Sequence, residues 1–261
     1  MTTELPQATD TKTFAVVGNP NTGKTTLFNA LTGLSQEIGN YPGVTVDRKI
    51  GKVRLGTETV ELLDLPGSYS LAAHSPDEMI VADVLLGRQP GTAPIEGVLA
   101  VLDATNLNRN LYLVSQVAEV GLPMVIALNM SDMASARGIR IDHEILAERL
   151  GVAVVPTCAV RKEGLEELRA ALDGLVERPA SSVPRSAPTL PTELEDSTRQ
   201  LSTHAVLEDR SVSMGRVEAL RTLVDAGGFT EVRLLEQVGD GFASELHRLR
   251  HAAGDELSAL E

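Results

Sequence analysis

The segment that most constrains this chain is an octapeptide near its N-terminus, Gly-Asn-Pro-Asn-Thr-Gly-Lys-Thr at residues 18–25. It follows the short β-branched run Phe14 to Val17 and opens a helical stretch, Lys24 to Leu31. Glycines between a strand and a helix let backbone N–H groups converge on phosphate oxygens, and the helix N-terminus adds a positive dipole end. The sequence therefore predicts a phosphate-binding P-loop, with Lys24 on the β- and γ-phosphates and the Thr25 hydroxyl on Mg²⁺.

Beyond the P-loop, short β-branched runs alternate with helical stretches, a rhythm typical of a parallel α/β sheet. The predicted strands are Phe14 to Val17, Thr59 to Leu63, Gly97 to Leu102, Met124 to Leu128 and Val152 to Val155. The predicted helices are Lys24 to Leu31, Pro76 to Leu86, Leu107 to Val120, Asp142 to Leu150 and Gly164 to Val176. A hairpin of Val44 to Val53 with the second strand, turning at residues 55–57, would place one antiparallel strand at the sheet edge.

The chain changes character after residue 178. Residues 178–191 contain four prolines and three serines, a composition typical of a linker. Beyond them, apolar residues such as Leu194, Leu201, Leu220 and Leu235 recur at helical intervals without strand-like alternation. The sequence predicts a domain over residues 1–178, a linker over 179–191 and a small all-helical domain over 192–261.

Charge and composition exclude several classes of function. Acidic residues number 36 against 23 basic ones, so attraction to nucleic acid or anionic membranes is not a bulk property of the chain. The longest apolar run, Val120 to Leu128, is about half of the roughly 20 residues that a spanning helix needs. The single cysteine, Cys158, excludes an internal disulfide, and the N-terminus lacks the features of a signal peptide. We expect a soluble chain in the cytosol.

Two later segments indicate which base is bound. Asn129-Met130-Ser131-Asp132 follows an apolar strand, where open α/β sheets bind ligands. The Asp132 carboxylate can accept hydrogen bonds from the N1–H and N2 amino groups of guanine, and adenine offers no such donor pair. An ordinary turn or helix cap is the alternative for Asp132. Thr157-Cys158-Ala159, after the next strand, could bring a backbone N–H to guanine O6, although this tripeptide alone is weak evidence.

Two further segments are expected to respond to the γ-phosphate. Asp64-Leu65-Pro66-Gly67 closes a predicted strand, so the Asp64 carboxylate can hold Mg²⁺ through water while the Gly67 N–H approaches the γ-phosphate. In the polar connection before it, Thr45 is the natural second hydroxyl ligand for Mg²⁺, ordered only when triphosphate is bound. A threonine that merely begins a strand is the alternative for Thr45.

These motifs in this order resemble the translation-factor-like GTPases over residues 12–178. More narrowly, the chain resembles the ferrous iron transport protein B family. The resemblance rests on four segments: GNPNTGKTTLFNALTG, GNYPGVTVDRKIGK, LLDLPGSYSL and LNMSD. The resemblance implies a P-loop GTPase fold with a mostly parallel sheet and one antiparallel edge strand. It also implies that the helical domain inhibits GDP dissociation and that a polytopic membrane domain follows. We therefore expect a fragment from the cytoplasmic side of a bacterial inner membrane protein, with the membrane domain as its partner and oligomers formed through the transporter.

The resemblance and the motifs together assign the site residues. Catalytic roles are expected for Asn21, Lys24, Thr45 and Gly67. Mg²⁺ is expected on Thr25, Thr45 and Asp64, and the resemblance implies K⁺ on Asn21, for which a simple turn residue is the alternative. The residues expected to bind GTP or GDP are Gly18, Asn19, Pro20, Asn21, Thr22, Gly23, Lys24, Thr25, Thr26, Gly43, Val44, Thr45, Asp64, Leu65, Pro66, Gly67, Asn129, Met130, Asp132, Thr157, Cys158 and Ala159.

Some residues favour a plain interpretation. Ser68 stands where Ras-like GTPases have a water-orienting glutamine and is too short for that role, so hydrolysis must be organised differently. Asp77 and Glu78 are better explained as an acidic pair at a helix start than as water-orienting groups. His247 and His251 are spaced like metal ligands on a helix, but no third ligand is evident nearby, and a solvated face is favoured.

The leading prediction is a slow, potassium-stimulated GTPase domain that regulates a ferrous iron transporter. One alternative is a GTP-dependent RNA or ribosome-assembly factor, which should carry a basic appended domain where this chain is acidic. A second alternative is a scaffold that binds nucleotide with negligible turnover.

Overall fold

The computed structural model describes residues 11–33, 36–42, 44–56, 58–71, 75–184, 190–208, 214–238 and 240–254. Its strands are β1 (Thr13–Val17), β2 (Gln36–Asn40), β3 (Asp47–Leu55), β4 (Glu58–Asp64), β5 (Ile95–Asp103), β6 (Met124–Asn129) and β7 (Ala153–Pro156). Its helices are α1 (Lys24–Thr32), α2 (Pro76–Leu85), α3 (Leu107–Val120), α4 (Ser131–Ala136), α5 (His143–Leu150), α6 (Leu165–Glu177), α7 (Thr192–Glu208), α8 (Arg216–Val224), α9 (Phe229–Val238) and α10 (Asp240–Ala252).

The strands form one sheet in the order β2-β3-β4-β1-β5-β6-β7. Strand β3 pairs antiparallel with both β2 and β4, whereas the pairs β1–β4, β1–β5, β5–β6 and β6–β7 are parallel. The predicted α/β fold is confirmed. The sheet is mostly parallel, and the antiparallel hairpin of β3 and β4 lies toward one edge of it. Strand β2 extends the edge beyond β3 and was not predicted. The carboxyl ends of the parallel strands meet at one edge, where ligands of open α/β sheets bind.

Helices cover both faces of the sheet, which explains why its central strands contain continuous apolar runs. Every residue of β1 and β6 is buried. On one face, residues of α2 and α3 such as Ile80 and Val117 join the apolar cluster. On the other face, Phe28 of α1 and Leu168 of α6 do the same. Burial on both faces removes the polar alternation that a half-exposed strand would show.

Helices α7 to α10 surround an apolar cluster of their own, which includes Leu194, Leu220 and Leu246. The segment before them contains a 3₁₀ turn at Pro179–Ser182, in a stretch where the sequence predicted no helix. One turn tolerates Pro179 because a proline at its first position has no N–H to leave unpaired. Residues 185–189 of the predicted linker lie outside the described residues, as do Gly43, Thr57 and His74.

An ion-pair network joins these helices to the sheet domain. Glu218 on α8 accepts hydrogen bonds from Arg88, just beyond α2, and from Arg233 on α9. Arg233 also donates to Asp83 on α2, with Nη1 2.6 Å from Oδ1. The Glu218 side chain is only 3% exposed, so its charge is compensated almost entirely by these two arginines. We call these four residues the α2–α8 network.

Gly164 offers a test of the backbone that shapes the loop before α6. Its φ is +76°, and an added Cβ would lie 2.2 Å from the carbonyl oxygen of Pro156. We expect Gly164→Ala to lower the free energy of unfolding by about 2 kcal/mol more than Gly121→Ala does. Both substitutions place an alanine at a positive φ, but only the methyl group added at residue 164 would collide with backbone atoms. Gly121 has a φ of +79° and no neighbour within 4 Å of the added Cβ. Equal losses in urea denaturation would contradict the close approach.

Candidate nucleotide-binding site

The predicted P-loop lies between the end of β1 at Val17 and the start of α1 at Lys24. Thr22 closes its turn, because both its N–H and its hydroxyl donate to the carbonyl oxygen of Asn19, at 3.4 and 3.0 Å. Gly23 has a φ of +80°, and a Cβ there would stand 2.4 Å from the Asn129 amide nitrogen. Only glycine fits at that position, because a side chain would be strained at this φ and would collide with Asn129.

One cavity of about 440 Å³ collects residues from segments far apart in the sequence. The residues lining it include the P-loop and α1 residues Lys24 and Thr25, Thr45, and the run Asp64 to Gly67. Asp47, Lys49 and Asp77 also line the cavity, although none of them was predicted to bind nucleotide. Asp47 and Lys49 belong to β3 and Asp77 to the first turn of α2, and the packing of these elements around the cavity is not visible in a local motif.

Lys24 and Asp64 form a buried ion pair inside this cavity, between Nζ and Oδ1. The Thr25 hydroxyl lies 3.5 Å from the other carboxylate oxygen of Asp64. Carboxylate and hydroxyl oxygens are hard donors that suit Mg²⁺, which keeps several waters and takes substrate phosphates as ligands. The donor set therefore fits the predicted metal, with the Thr45 hydroxyl in the same cavity. Within the described residues, no group of three His, Cys, Asp or Glu side chains could hold a metal by itself.

Asn129 connects two of the segments that were predicted to bind the nucleotide, the P-loop and the loop after β7. Its Nδ2 donates to the carbonyl oxygen of Thr22 at 2.8 Å, and its Oδ1 accepts from the Ala159 N–H at 3.0 Å. The Thr157 hydroxyl also donates to that oxygen, at 3.4 Å. These contacts cross-link the P-loop to the loop after β7. Met130, with a φ of +60°, then turns the chain so that Asp132 lies in the first turn of α4.

The loop after β7 differs from the expected donor arrangement. The N–H groups of Thr157, Cys158 and Ala159 donate to Leu128 O, Glu163 O and Asn129 Oδ1, respectively. To donate to guanine O6, one of these N–H groups would therefore have to leave its present acceptor or donate to both acceptors at once. The Cys158 side chain is buried.

The segments expected to sense the γ-phosphate lie on either side of the cavity. Tyr41 is fully buried, and its N–H donates to Val46 O at 3.1 Å. Val44 and Thr45 lie between these two hydrogen-bonded residues and are exposed. Burial raises the pKa of the Tyr41 phenol, so the hydroxyl stays neutral. On the other side, the Ser68 N–H donates to Gly18 O at 3.2 Å. A Cβ on Gly67 would touch Pro20 at 3.1 Å, so this segment packs directly on the P-loop.

The remaining predicted residues have distinct positions. Asn19 is buried, whereas Asn21 and Thr26 are exposed, and Asn21 is not among the residues that line the cavity. Ser75 caps α2 by accepting from the Glu78 N–H at 3.3 Å, so Asp77 and Glu78 lie in the first turn of that helix, as predicted. His247 and His251 are exposed on α10, as predicted. No helix in the described residues has the length and hydropathy to cross a bilayer.

Sequence reasoning missed one residue next to the predicted base site. Arg161 lies with its Nη2 2.6 Å from Oδ2 of Asp132. A basic residue shortly after Thr157-Cys158-Ala159 was visible in the sequence. Its contact with Asp132 depends on a tight hairpin that returns the loop toward α4, and no local pattern signals that hairpin.

Comparison with known proteins agrees with the geometry. A family model described as Ferrous iron transport protein B matches residues 12–172. The Fe(2+) transporter FeoB of Salmonella typhimurium is 47% identical over 165 residues, which are 62% of this chain and 21% of that protein. The FeoB of Escherichia coli K12 is 46% identical over the same length. The chain thus spans about a fifth of the length of these curated relatives.

Solved structures extend the similarity over the helical region. The cytosolic domain of L. pneumophila FeoB matches with a TM-score of 0.72 and 34% identity, over 93% of this chain and 98% of that one. An S. thermophilus NFeoB variant bound to mGDP matches with a TM-score of 0.75 and 33% identity, over 95% and 91%. The cytosolic domain of the T. maritima FeoB iron transporter in its GMPPNP form reaches 0.72 and 30%, over 95% and 98%. The predicted resemblance is confirmed, and the chain belongs to the ferrous iron transport protein B family.

Proposed function

We propose that this chain is the GTP-binding and GTP-hydrolysing regulatory domain of a ferrous iron transporter, at the cytoplasmic face of a bacterial inner membrane. The observation that carries the proposal is the single cavity shared by Lys24 and Thr25, by Thr45, and by Asp64 to Gly67. P-loop GTPases place these three segments around the β- and γ-phosphates and Mg²⁺. Relatives solved with mGDP and in a GMPPNP form support guanine nucleotides as the ligands.

In this proposal each residue has a limited task. Lys24 exchanges the carboxylate of Asp64 for phosphate oxygens, and Thr25, Thr45 and Asp64 hold Mg²⁺. The metal, when bound, neutralises phosphate charge. Gly67 brings its N–H toward the γ-phosphate, so that loss of this phosphate releases the segment that follows. Ser68 is buried against Gly18 and too short to orient water, which supports slow hydrolysis.

We further propose the division into a G domain (1–178), a linker (179–191) and a helical domain (192–261) that slows GDP release, followed in the full-length protein by a membrane domain. The separate apolar cluster of α7 to α10 supports the division. The aligned 165 residues are only 21% of a curated full-length relative, which supports a further part. The acidic composition and the family argue against the alternative of an RNA or ribosome-assembly factor.

Calorimetric titration tests the proposal directly. With Mg²⁺ present, GDP and GTP should bind far more tightly than ADP and ATP, because a site built to pair with two donors leaves a carboxylate unsatisfied when adenine enters. Equal affinities for guanine and adenine nucleotides would contradict it.

Potassium should accelerate GTP turnover if Asn21 helps to hold the cation beside the phosphates. Asn21 lies in the P-loop with a φ of +66° and is exposed, which leaves its side-chain oxygen accessible to a cation. A bound K⁺ would supply positive charge where charge develops in the transition state. Replacing Na⁺ by K⁺ at constant ionic strength should raise the single-turnover rate roughly tenfold, and Asn21→Ala should abolish the difference. Identical wild-type rates in both salts would leave Asn21 as a turn residue only.

A further inference from the structure

The strongest unassigned feature near the site is the contact between Arg161 and Asp132. Arg161 Nη2 lies 2.6 Å from Asp132 Oδ2, and the two residues belong to different loops, one after β7 and the other after β6. The Arg161 side chain is 53% exposed and that of Asp132 is 24% exposed. The pair therefore lies at the protein surface, and it bridges the two loops expected to recognise guanine.

Arg161 is held at the tip of a short, cross-linked hairpin. Cys158 and Glu163 exchange both backbone hydrogen bonds, at 3.1 and 3.2 Å, and the Arg161 N–H donates to Cys158 O at 3.1 Å. The same loop is anchored from below, because the Ala159 N–H donates to Asn129. With the loop's base fixed in this way, the side chain of Arg161 forms its second attachment, to α4.

The contact leaves Asp132 able to read a base. A carboxylate offers about four lone-pair positions, and the short contact with Arg161 uses one of its two oxygens. The Arg161 hydrogen bond is the main reason that the pKa of Asp132 lies below its ordinary value, outweighing the opposite effect of burial, and hydrogen bonds from the Cys158 side chain and the Met133 N–H act in the same direction. An ionised carboxylate is the acceptor-only form that two guanine donors require.

Resting on the function proposed above, we propose that Arg161 is a positioning residue for guanine: it ties the loop after β7 to Asp132, holds the carboxylate facing the base, and thereby slows nucleotide release. Arg161 does so without touching the reacting phosphates. Its effect should therefore appear in the dissociation rate and in base discrimination, and not in the rate of the chemical step.

Stopped-flow release of a fluorescent GDP analogue from the full 261-residue chain tests the proposal. We expect Arg161→Ala to release GDP roughly two- to fivefold faster than the wild type at low salt, the range for an exposed ion pair. Arg161→Lys should recover part of the loss, and high salt should narrow the gap because it screens the pair. Lys162→Ala is the matched control, since it removes the same charge from the next residue, and it should release GDP at the wild-type rate.

The Asp132→Asn background separates positioning from a general effect on the loop. There, release of xanthosine diphosphate should be nearly insensitive to Arg161→Ala, because the carboxylate partner is gone. An undiminished effect would contradict positioning through Asp132. Wild-type or slower GDP release by Arg161→Ala would also overturn the proposal, and slower release would indicate that Arg161 competes with the base. Failure of the wild type to bind the GDP analogue would instead refute the proposed function itself.

Discussion

Asp132→Asn should weaken GTP and GDP binding by roughly a thousandfold or more and should favour xanthine nucleotides in their place. The carboxylate accepts from the N1–H and N2 amino groups of guanine, whereas an amide presents one acceptor and one donor and so opposes one of the two base donors. Xanthine carries an oxygen in place of the 2-amino group and matches the amide. Titration of wild type and variant with GDP and xanthosine diphosphate measures both halves of the exchange.

Asp142→Asn provides a matched control for this prediction. The same substitution of aspartate by asparagine is made there outside the site. Asp142 caps α5, because its carboxylate accepts from the Ile145 N–H at 3.0 Å. Asparagine is an equally good helix cap, so this variant should keep the wild-type preference for guanine. Loss of GDP binding by Asp132→Asn without any gain for the xanthine nucleotide would argue that Asp132 supports the fold of α4 and does not read the base.

Glu218→Ala should loosen the helical region from the sheet domain. The substitution leaves Arg88 and Arg233 without their common acceptor in a largely buried contact, and removing one partner of such a pair costs about 3 kcal/mol or more. If docking of the helices slows GDP release, the same variant should release GDP roughly tenfold faster, because coupling between two sites is reciprocal. Thermal unfolding and stopped-flow release of a GDP analogue measure the two effects.

Glu236→Ala is the control for the α2–α8 network, because Glu236 is exposed on the neighbouring helix α9. It should leave both the unfolding temperature and GDP release at wild-type values. A Glu218→Ala protein that is destabilised but releases GDP at the wild-type rate would mean that the helical region does not restrain the nucleotide and serves as a spacer or docking platform.

Local sequence patterns predicted the central strands well. Strands β1, β5 and β6 each contain a continuous apolar run because both faces of the sheet are buried there, and such runs are visible without knowledge of the fold. Strand β2 was missed because Gln36–Asn40 is largely exposed and has only β3 as a pairing partner. Its existence depends on a non-local contact. Helix α4 has six residues, too few to show a helical period.

The same distinction between local and non-local contacts explains which features of the site were predicted. The P-loop and the segments at Asp64 and Asp132 could be located because each is a short motif next to a strand. The Lys24–Asp64 ion pair, the Arg161–Asp132 contact and the Arg88–Glu218 pair of the α2–α8 network join residues that are 40, 29 and 130 positions apart, so a local stretch of sequence does not reveal them. Periodicity is also an imperfect guide to burial, since Val232 lies on α9 three residues before Leu235, at helical spacing, yet is 46% exposed.

The central claim, that this chain hydrolyses GTP, is tested most directly by a single-turnover assay. Excess protein is mixed with γ-labelled GTP and Mg²⁺ in potassium buffer, and released phosphate is followed over time, with Lys24→Ala as the inactive control. We expect the wild type to convert bound GTP to GDP slowly but completely, with phosphate release lost on chelation of Mg²⁺. Recovery of intact GTP from the wild-type complex, at the rate seen without protein, would contradict the claim and leave a nucleotide-binding scaffold.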